Sequence, residues 1–314
     1  MFKNDKILVT GGAGFLGQNL VEALKEKGVS QNDIFIPRSK DYDLRNLKDV
    51  ERLFDSFTAE IVVHLATPSG GIGYYKEHPG RVFYDNLSMG MNIMEIARRR
   101  NVKKVLIVGS AVGYPKSAPI PYNEDDFWNG YPGEIEAPYG ISNKVLSVQA
   151  KAYRDEYGLD VIYVILPNIY GPGDHFDSNS HVIPSMIKKF SDAKRNKMPR
   201  VEFWGDGSAS REFLFVGDAT KFLIAALSSY NSSEPLNLGP GIEITIKELA
   251  DKIKMIVSYD GEIFWDIEKP AGAKRRALDC SKAKKILNLI PEVDFESGLK
   301  KTIEWFKKQE SLKE

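Results

Sequence analysis

Cysteine is almost absent from this chain of 314 residues: Cys280 stands alone, so no disulfide can form within the chain. A lone thiol suits a reducing compartment, and a cytoplasmic location is expected. Histidine is sparse too. His64, His78, His175 and His181 show no metal-ligand spacing with one another or with Cys280, so no metal site is expected. Charge of one sign is also missing, because 43 Lys and Arg balance 43 Asp and Glu. A neutral chain exerts no electrostatic pull on nucleic acid or an anionic membrane, and neither is expected as a partner. No apolar run approaches the ~18 residues of a transmembrane helix. The opening Met1-Phe2-Lys3-Asn4-Asp5-Lys6 has no signal-like apolar core. Repeats and low-complexity blocks are lacking as well. What is present is 42% hydrophobic content, enough to bury a large core.

The first half alternates short apolar runs with longer helical patterns. Strands are expected at 7–9, 33–36, 61–65, 105–108 and 161–166, and helices at 14–27, 47–57, 81–100 and 140–157. Strands this apolar are buried on both faces, which implies a parallel sheet covered by helices on both sides. The expected fold is α/β, a Rossmann-like doubly wound parallel sheet with its ligand beyond the carboxyl ends of the strands. After Pro167 the rhythm changes. A turn cluster, Gly171-Pro172-Gly173-Asp174, precedes a helix at 183–193, an exposed loop at 194–199 and a strand at 201–204. Further helices are expected at 218–228, 246–257, 282–287 and 296–308. Residues 1–170 thus read as the sheet lobe and 171–314 as a smaller α+β substrate lobe, with a segment near 213–238 able to return to the first.

Between the first strand and first helix stands Thr10-Gly11-Gly12-Ala13-Gly14-Phe15-Leu16-Gly17, with glycines in G-x-x-G-x-x-G spacing. Gly11 permits a tight turn, Gly14 lets the backbone approach a pyrophosphate, and Gly17 lets helix and strand pack closely. The helix start offers free N–H groups and partial positive charge to phosphates. Gly11, Gly14, Phe15, Leu16 and Gly17 are therefore expected to hold a dinucleotide. An acidic residue after the second strand would bind the ribose of NAD. This chain instead has Arg38 and Ser39 there, a guanidinium fork and a hydroxyl suited to the 2′-phosphate of NADP. NADP is the expected cofactor, with NAD possible. Asp43 lies just beyond, where it would meet the adenine edge or the solvent.

These segments, with His64-Leu65-Ala66, Tyr84-Asp85-Asn86 and Gly109-Ser110, resemble an extended short-chain dehydrogenase/reductase of the NAD-dependent epimerase/dehydratase family. Tyr114-Pro115-Lys116, Asn168-Ile169-Tyr170-Gly171-Pro172, the run Asn179-Ser180-His181-Val182-Ile183-Pro184 and Arg211-Glu212-Phe213-Leu214 narrow the resemblance to the GDP-L-fucose synthase group. The resemblance implies a nucleotide-diphosphate sugar as substrate, a 4-keto carbonyl reduced with NADPH, and a homodimer built through the helices at 81–100 and 140–157. It adds Leu65, Ala66 and Asn86 to the cofactor side. It also implies a Ser–Tyr–Lys set, in which tyrosine gives a proton to the carbonyl oxygen, serine orients that oxygen, and lysine binds the ribose and lowers the tyrosine pKa. Ser110 and Tyr139 match the first two.

Two positions depart from that pattern. Four residues after Tyr139 stands Asn143, with Lys144 one place later. One residue turns a helix by about 100°, so Lys144 should point off the site, while Asn143 is expected to hydrogen-bond a ribose hydroxyl but carries no charge to stabilise tyrosinate. The group's epimerisation uses a cysteine two residues after the serine, paired with a histidine. His181 matches the histidine, but the cysteine position holds Val112, which can neither accept nor donate a proton.

Among the remaining residues, Asn168 follows the fifth strand at the ligand edge, against cofactor, sugar or diphosphate. Arg211 precedes an apolar strand and would clamp a diphosphate or bridge to a local carboxylate. Val182 adjoins His181 on the substrate side. Trp204 is either core packing or a wall against a base. His64 ends a buried strand and reads as a hydrogen-bonded structural histidine. The reading is an NADP-dependent oxidoreductase on a nucleotide-diphosphate 4-keto sugar. The alternatives are a cofactor- and sugar-nucleotide-binding protein with little turnover, or an epimerase or dehydratase retaining NAD.

Overall fold

A computed structural model of the chain describes residues 2–68, 70, 72–177, 180–269 and 273–312. Its first half runs β1 (Ile7–Thr10), α1 (Phe15–Glu26), β2 (Ile34–Phe35), α2 (Leu47–Ser56), β3 (Ile61–His64), α3 (Ile72–Glu77), α4 (Pro79–Arg99), β4 (Lys104–Ser110), α5 (Ala137–Tyr157) and β5 (Asp160–Leu166). Its second half runs β6 (Asn168–Tyr170), α6 (Val182–Arg195), β7 (Arg200–Trp204), β8 (Ser210–Phe215), α7 (Val216–Ser229), β9 (Leu236–Asn237) and β10 (Glu243–Thr245). It closes with α8 (Ile246–Val257), β11 (Glu262–Asp266), β12 (Arg275–Arg276), α9 (Ser281–Leu287) and α10 (Phe295–Ser311).

All residues of β1 and β3 are buried, as a strand covered on both faces must be. They lie inside a six-stranded sheet ordered β2-β1-β3-β4-β5-β9, and every pairing in it is parallel. The chain steps from β1 out to β2, then crosses back over β1 to β3. Loops after β1 and β3 therefore diverge to opposite faces and leave a crevice at their carboxyl ends, where open α/β sheets bind ligands.

Each face has its own core. Val50 and Leu53 of α2, Ile93 and Met94 of α4 and Leu146 of α5 pack on Val105 and Val161. On the other face, Leu20 and Leu24 of α1 and Phe222 and Leu223 of α7 cover Val9 and Ile162. Full burial of each such side chain stabilises by about 1.5–3 kcal/mol. A third core joins Ile187 and Phe190 of α6 to Leu249 and Ile253 of α8 and Ile303 of α10. There β8 is central: it pairs with β6 and β12 in parallel and with β10 antiparallel, while β7 pairs with β11. The chain passes back to the first sheet through α7, which packs beside α1, and β9, which pairs with β5.

Helix α6 reaches Arg195, so part of the stretch expected as loop is helical, and Lys194 is tied down by donating to the Val257 carbonyl at 2.8 Å. Helix α5 begins at Ala137, so Tyr139 sits inside its first turn. No helix among the described residues is long and apolar enough to cross a membrane.

Candidate active site

The turn after β1 needs glycine. Gly11 has a φ of +70°, and a Cβ there would lie 2.7 Å from Ala66 N and from the Leu65 carbonyl carbon. Gly17 is held tighter still: its Cβ would meet Gly11 O at 2.2 Å and Gly12 Cα at 2.5 Å. Gly14 is the N-cap of α1 and supplies no capping side chain, so nothing from the cap residue covers the N–H groups of Phe15, Leu16 and Gly17. Bare N–H groups at a helix start, reached over side-chain-free backbone, form a cradle for phosphate. Leu65 and Ala66 wall it, Leu65 donating its N–H to Thr10 O at 3.0 Å. Beneath them the Thr10 hydroxyl and His64 Nδ1 are hydrogen-bonded at 2.7 Å, and burial lowers the His64 pKa to about 4. His64 is thus a neutral tie between β1 and β3.

Arg38 and Ser39 are exposed beside this turn, and no carboxylate among the described residues pairs with Arg38. Asp43 is engaged elsewhere. Arg45 grips its carboxylate with Nε at 2.9 Å and Nη2 at 2.8 Å, and reaches Asp85 at 3.2 Å, which holds the Asp43 pKa down. That fork ties the loop after β2 to α4 and leaves the Asp43 side chain little capacity for an adenine edge.

Tyr139 is 8% exposed, and burial raises its pKa. The hydroxyls of Thr67 and Ser110 nearby pull the pKa back. Ser110 ends β4 and Tyr139 opens α5, so the fold brings the expected pair together. The Tyr75 ring stacks on Tyr139 at 5.0 Å, and Val112 packs against the same cluster. One turn further along α5, the Asn143 amide donates to the Tyr139 carbonyl at 3.0 Å. Lys144 turns away, as helix rotation demands. It is 1% exposed, with its ammonium 4.5 Å from the Trp128 ring and 5.0 Å from Phe127, and burial lowers its pKa. Asn86 is buried, its Nδ2 donating to Val82 O at 2.7 Å and its Oδ1 accepting from Thr67.

Beside Ser110 runs a narrow crevice of about 30 Å³, lined by Ser110, Val112, Asn168, Glu212, Arg276 and Leu278. Asn168 is steadied by donating to Glu212 O at 3.2 Å. Arg276 makes a two-point ion pair with Glu136, at 3.1 and 2.6 Å. Arg211 is the neighbouring cation. Among the described residues no carboxylate lies within ion-pair distance of it; one Nη donates only to Ser210 O, at 2.7 Å. Burial and the Arg276 charge lower its pKa to about 10. A half-buried guanidinium with no ion pair among the described residues is primed for an anion from outside. Glu212 is fully buried and accepts from Gly241 N and Leu278 N, each at 2.7 Å, pinning the loops that carry this cation pair.

His181 is the N-cap of α6 and exposed, yet protein crowded around its imidazole, with His175 nearby, lowers its pKa. No hydrogen bond among the described residues joins it to Ser110 or Tyr139. Val182 is partly buried against the third core. Asn179 lies outside the described residues. Trp204 is 59% exposed, which removes the core-packing option and leaves a ring free to wall a ligand. A larger cavity of about 1090 Å³ opens between Tyr170, Phe215, Phe222 and Cys280; it shares Leu278 with the crevice but is lined by none of Ser110, Tyr139, Asn168, His181, Arg211 or Arg276.

Residues 7–239 match the NAD dependent epimerase/dehydratase family. The chain belongs to that family. It is 34% identical over 307 residues to GDP-L-fucose synthase 1 of Arabidopsis thaliana, covering 98% of this chain and 94% of that protein. It superposes on a GDP-6-OMe-4-keto-L-xylo-heptose reductase from C. jejuni with a TM-score of 0.93 and 27% identity, covering 98% of this chain and 99% of that one. A GDP-L-fucose synthetase from Naegleria fowleri bound to NADP superposes with a TM-score of 0.90 and 25% identity, covering 99% and 96%. For this epimerase/dehydratase family member, the sequence reading missed Thr67, Glu136 and Arg276. Arg276 had a faint signal, the basic run Lys274-Arg275-Arg276 after glycine. Thr67 and Glu136 had none, because their partners lie far away in the chain.

Proposed function

We propose that this protein is an NADP-dependent reductase of a GDP-linked 4-keto sugar that leaves C3 and C5 of the sugar unepimerised. The observation that carries the reading is the meeting of Ser110 and Tyr139 beside a crevice whose thiol position is Val112. One proton donor and one orienting hydroxyl suffice for carbonyl reduction, whereas moving protons at two carbons needs a thiol paired with His181, and that position holds Val112. Relatives bearing the names GDP-L-fucose synthase and GDP-linked keto-heptose reductase support the substrate class.

The cofactor fits the residues present. The backbone around Gly11, Gly14 and Gly17 would hold the pyrophosphate, and Arg38 with Ser39 the 2′-phosphate; when bound, NADPH supplies a hydride for the carbonyl carbon. Tyr139 delivers the proton to the carbonyl oxygen, and Ser110 donates to that oxygen and sets its angle. Arg211 and Arg276 face the diphosphate, and His181 and Trp204 border the sugar and base. Asn143 fixes the first turn of α5 through the Tyr139 carbonyl.

Residues 1–170 with the returning 213–238 segment form the cofactor lobe, and the rest forms the substrate lobe. Exposed Phe83, Tyr84 and Met91 on α4 and Val148 on α5 give a homodimer its contact. A cytoplasmic setting agrees with the lone, partly buried Cys280. The test is NADPH oxidation with GDP-4-keto-6-deoxymannose in D2O. We expect cofactor consumption and a product carrying no solvent deuterium at C3 or C5. Absence of oxidation with several GDP-linked 4-keto sugars refutes the reductase reading, and deuterium at both carbons refutes the missing epimerisation.

A further inference from the structure

The site beside Ser110 and Tyr139 is shut in this structure. The crevice there holds about 30 Å³, room for about one water, and a sugar ring with its substituents needs several times that. Most of its walls are tied down: Asn168 and Leu278 are bound to Glu212, and Arg276 to Glu136. Helix α3, which covers Tyr139 from another side, is held by less. It has six residues, fewer than a helix needs to stand alone. Pro79 lacks the N–H that would carry its hydrogen-bond ladder into α4, and His78 at the joint leaves the helical region, with φ −129° and ψ 42°. Among the described side chains of α3, Lys76 and Glu77 are exposed, Tyr74 is partly buried, and Tyr75 alone is buried.

Tyr75 is where α3 grips the site. Its ring lies on that of Tyr139 with centroids 5.0 Å and planes 17° apart, and both pack with Val112, which lines the crevice. We propose that α3 is a lid and Tyr75 its latch: stacked, Tyr75 closes the way to Tyr139, and a keto sugar enters only as the stack parts. The inference rests on Tyr139 being the acid for a GDP-linked keto sugar. An aromatic stack favours the closed form by about 2- to 10-fold beyond the area it buries. A ligand that needs the open form binds more weakly in proportion to the fraction of molecules open, so the latch lowers sugar affinity by at least about that factor. GDP alone has no sugar to place beside Tyr139 and is indifferent to the latch. The sign of the effect separates a latch from a wall. A ring that packed against bound sugar would strengthen binding, whereas a ring that must leave weakens it.

The experiment compares Tyr75→Ala and Tyr75→Phe with wild type in the full chain without cofactor. Nitration of Tyr139 by tetranitromethane, read by peptide mass spectrometry, reports how often the stack is open and needs no substrate. Tyr139 should be nitrated at least about 2- to 10-fold faster in Tyr75→Ala, and at the wild-type rate in Tyr75→Phe, which keeps a ring. Calorimetry should show GDP-4-keto-6-deoxymannose binding about 2- to 10-fold tighter to Tyr75→Ala than to wild type, with GDP affinity equal in both. Tyr75→Leu takes the place of Tyr75→Ala if that variant fails to fold. Unchanged nitration of Tyr139 in the folded variant overturns the lid. Weaker keto-sugar binding with GDP affinity intact overturns it too, and makes Tyr75 part of the sugar's wall. If neither wild type nor variant binds the keto sugar, the substrate reading fails instead, and nitration decides the lid on its own.

Discussion

Replacing Gly17 by alanine adds one methyl group to the first turn of α1, and its consequence can be worked out from the coordinates. In an open helix position that change stabilises by up to about 1 kcal/mol, because alanine loses less backbone entropy than glycine. At Gly17 the methyl would sit 2.2 Å from Gly11 O and 2.5 Å from Gly12 Cα. An ordinary carbon–oxygen contact is roughly 1 Å longer, and both obstacles are backbone, so neither can swing aside. Relief requires the helix start and the glycine turn to separate. Overpacking of this kind costs about 1–3 kcal/mol or more, which outweighs the helix-propensity gain. Separation also moves the N–H groups of Phe15 and Leu16 off the pyrophosphate. Losing one charge-assisted hydrogen bond costs about 1.5–3 kcal/mol, or roughly a 10- to 100-fold weaker NADPH complex. The control is Gly80→Ala in the first turn of α4, where a Cβ would meet nothing within 4 Å. Thermal unfolding and NADPH fluorescence titration should show Gly17→Ala less stable and weak-binding, and Gly80→Ala as stable as wild type or slightly more so, with unchanged affinity. Wild-type NADPH affinity in Gly17→Ala would refute the assignment of this turn to the phosphates.

The two substrate-side arginines should respond differently to substitution. Arg276→Met strands Glu136, lowering stability by about 1–3 kcal/mol, whereas Arg211→Met removes a half-buried cation with no ion pair among the described residues and leaves stability equal or higher. Both should weaken GDP binding at least about tenfold by calorimetry; unchanged GDP affinity in Arg211→Met would show that this cation serves the fold alone. His64 gives the protein an acid weakness. Its folded pKa of about 4 lies below the unfolded value of 6.5, so the unfolded chain binds more protons between those pH values. The stabilisation is complete above about pH 6.5 and is lost toward pH 4, by roughly 1.4 kcal/mol per pH unit. Urea unfolding of wild type and His64→Asn from pH 7 to 4.5 should show the wild type losing about 2–3 kcal/mol more. Parallel losses would mean that His64 is not held neutral.

Much of the cofactor half was readable because its signals are local. A buried strand, four glycines and a helix start lie within residues 7–17, and the space left for a Cβ dictates Gly11, Gly12 and Gly17 directly. Periodicity placed α2, α4 and the strands from β3 to β5. It could not place α3 or β6, which are too short to show a period, or β9, whose two residues become a strand only by pairing with β5. Asp43 illustrates a limit of another kind: its position suggests an adenine contact, but Arg45 holds it in a fork that also reaches Asp85, 40 residues on.

By itself the sequence determined the alternation of strand and helix, the glycine turn, the off-site rotation of Lys144 and the loss of a thiol at Val112, because each depends on a residue's own size, charge or place on a helix. Tertiary packing alone decided that Arg276 meets Glu136 across 140 residues, that Arg211 has no ion pair among the described residues, and that Thr67 donates to Asn86 19 residues on. Such contacts follow from which surfaces the cores press together, and side chains that share no stretch of chain leave no pattern to read before the chain has folded.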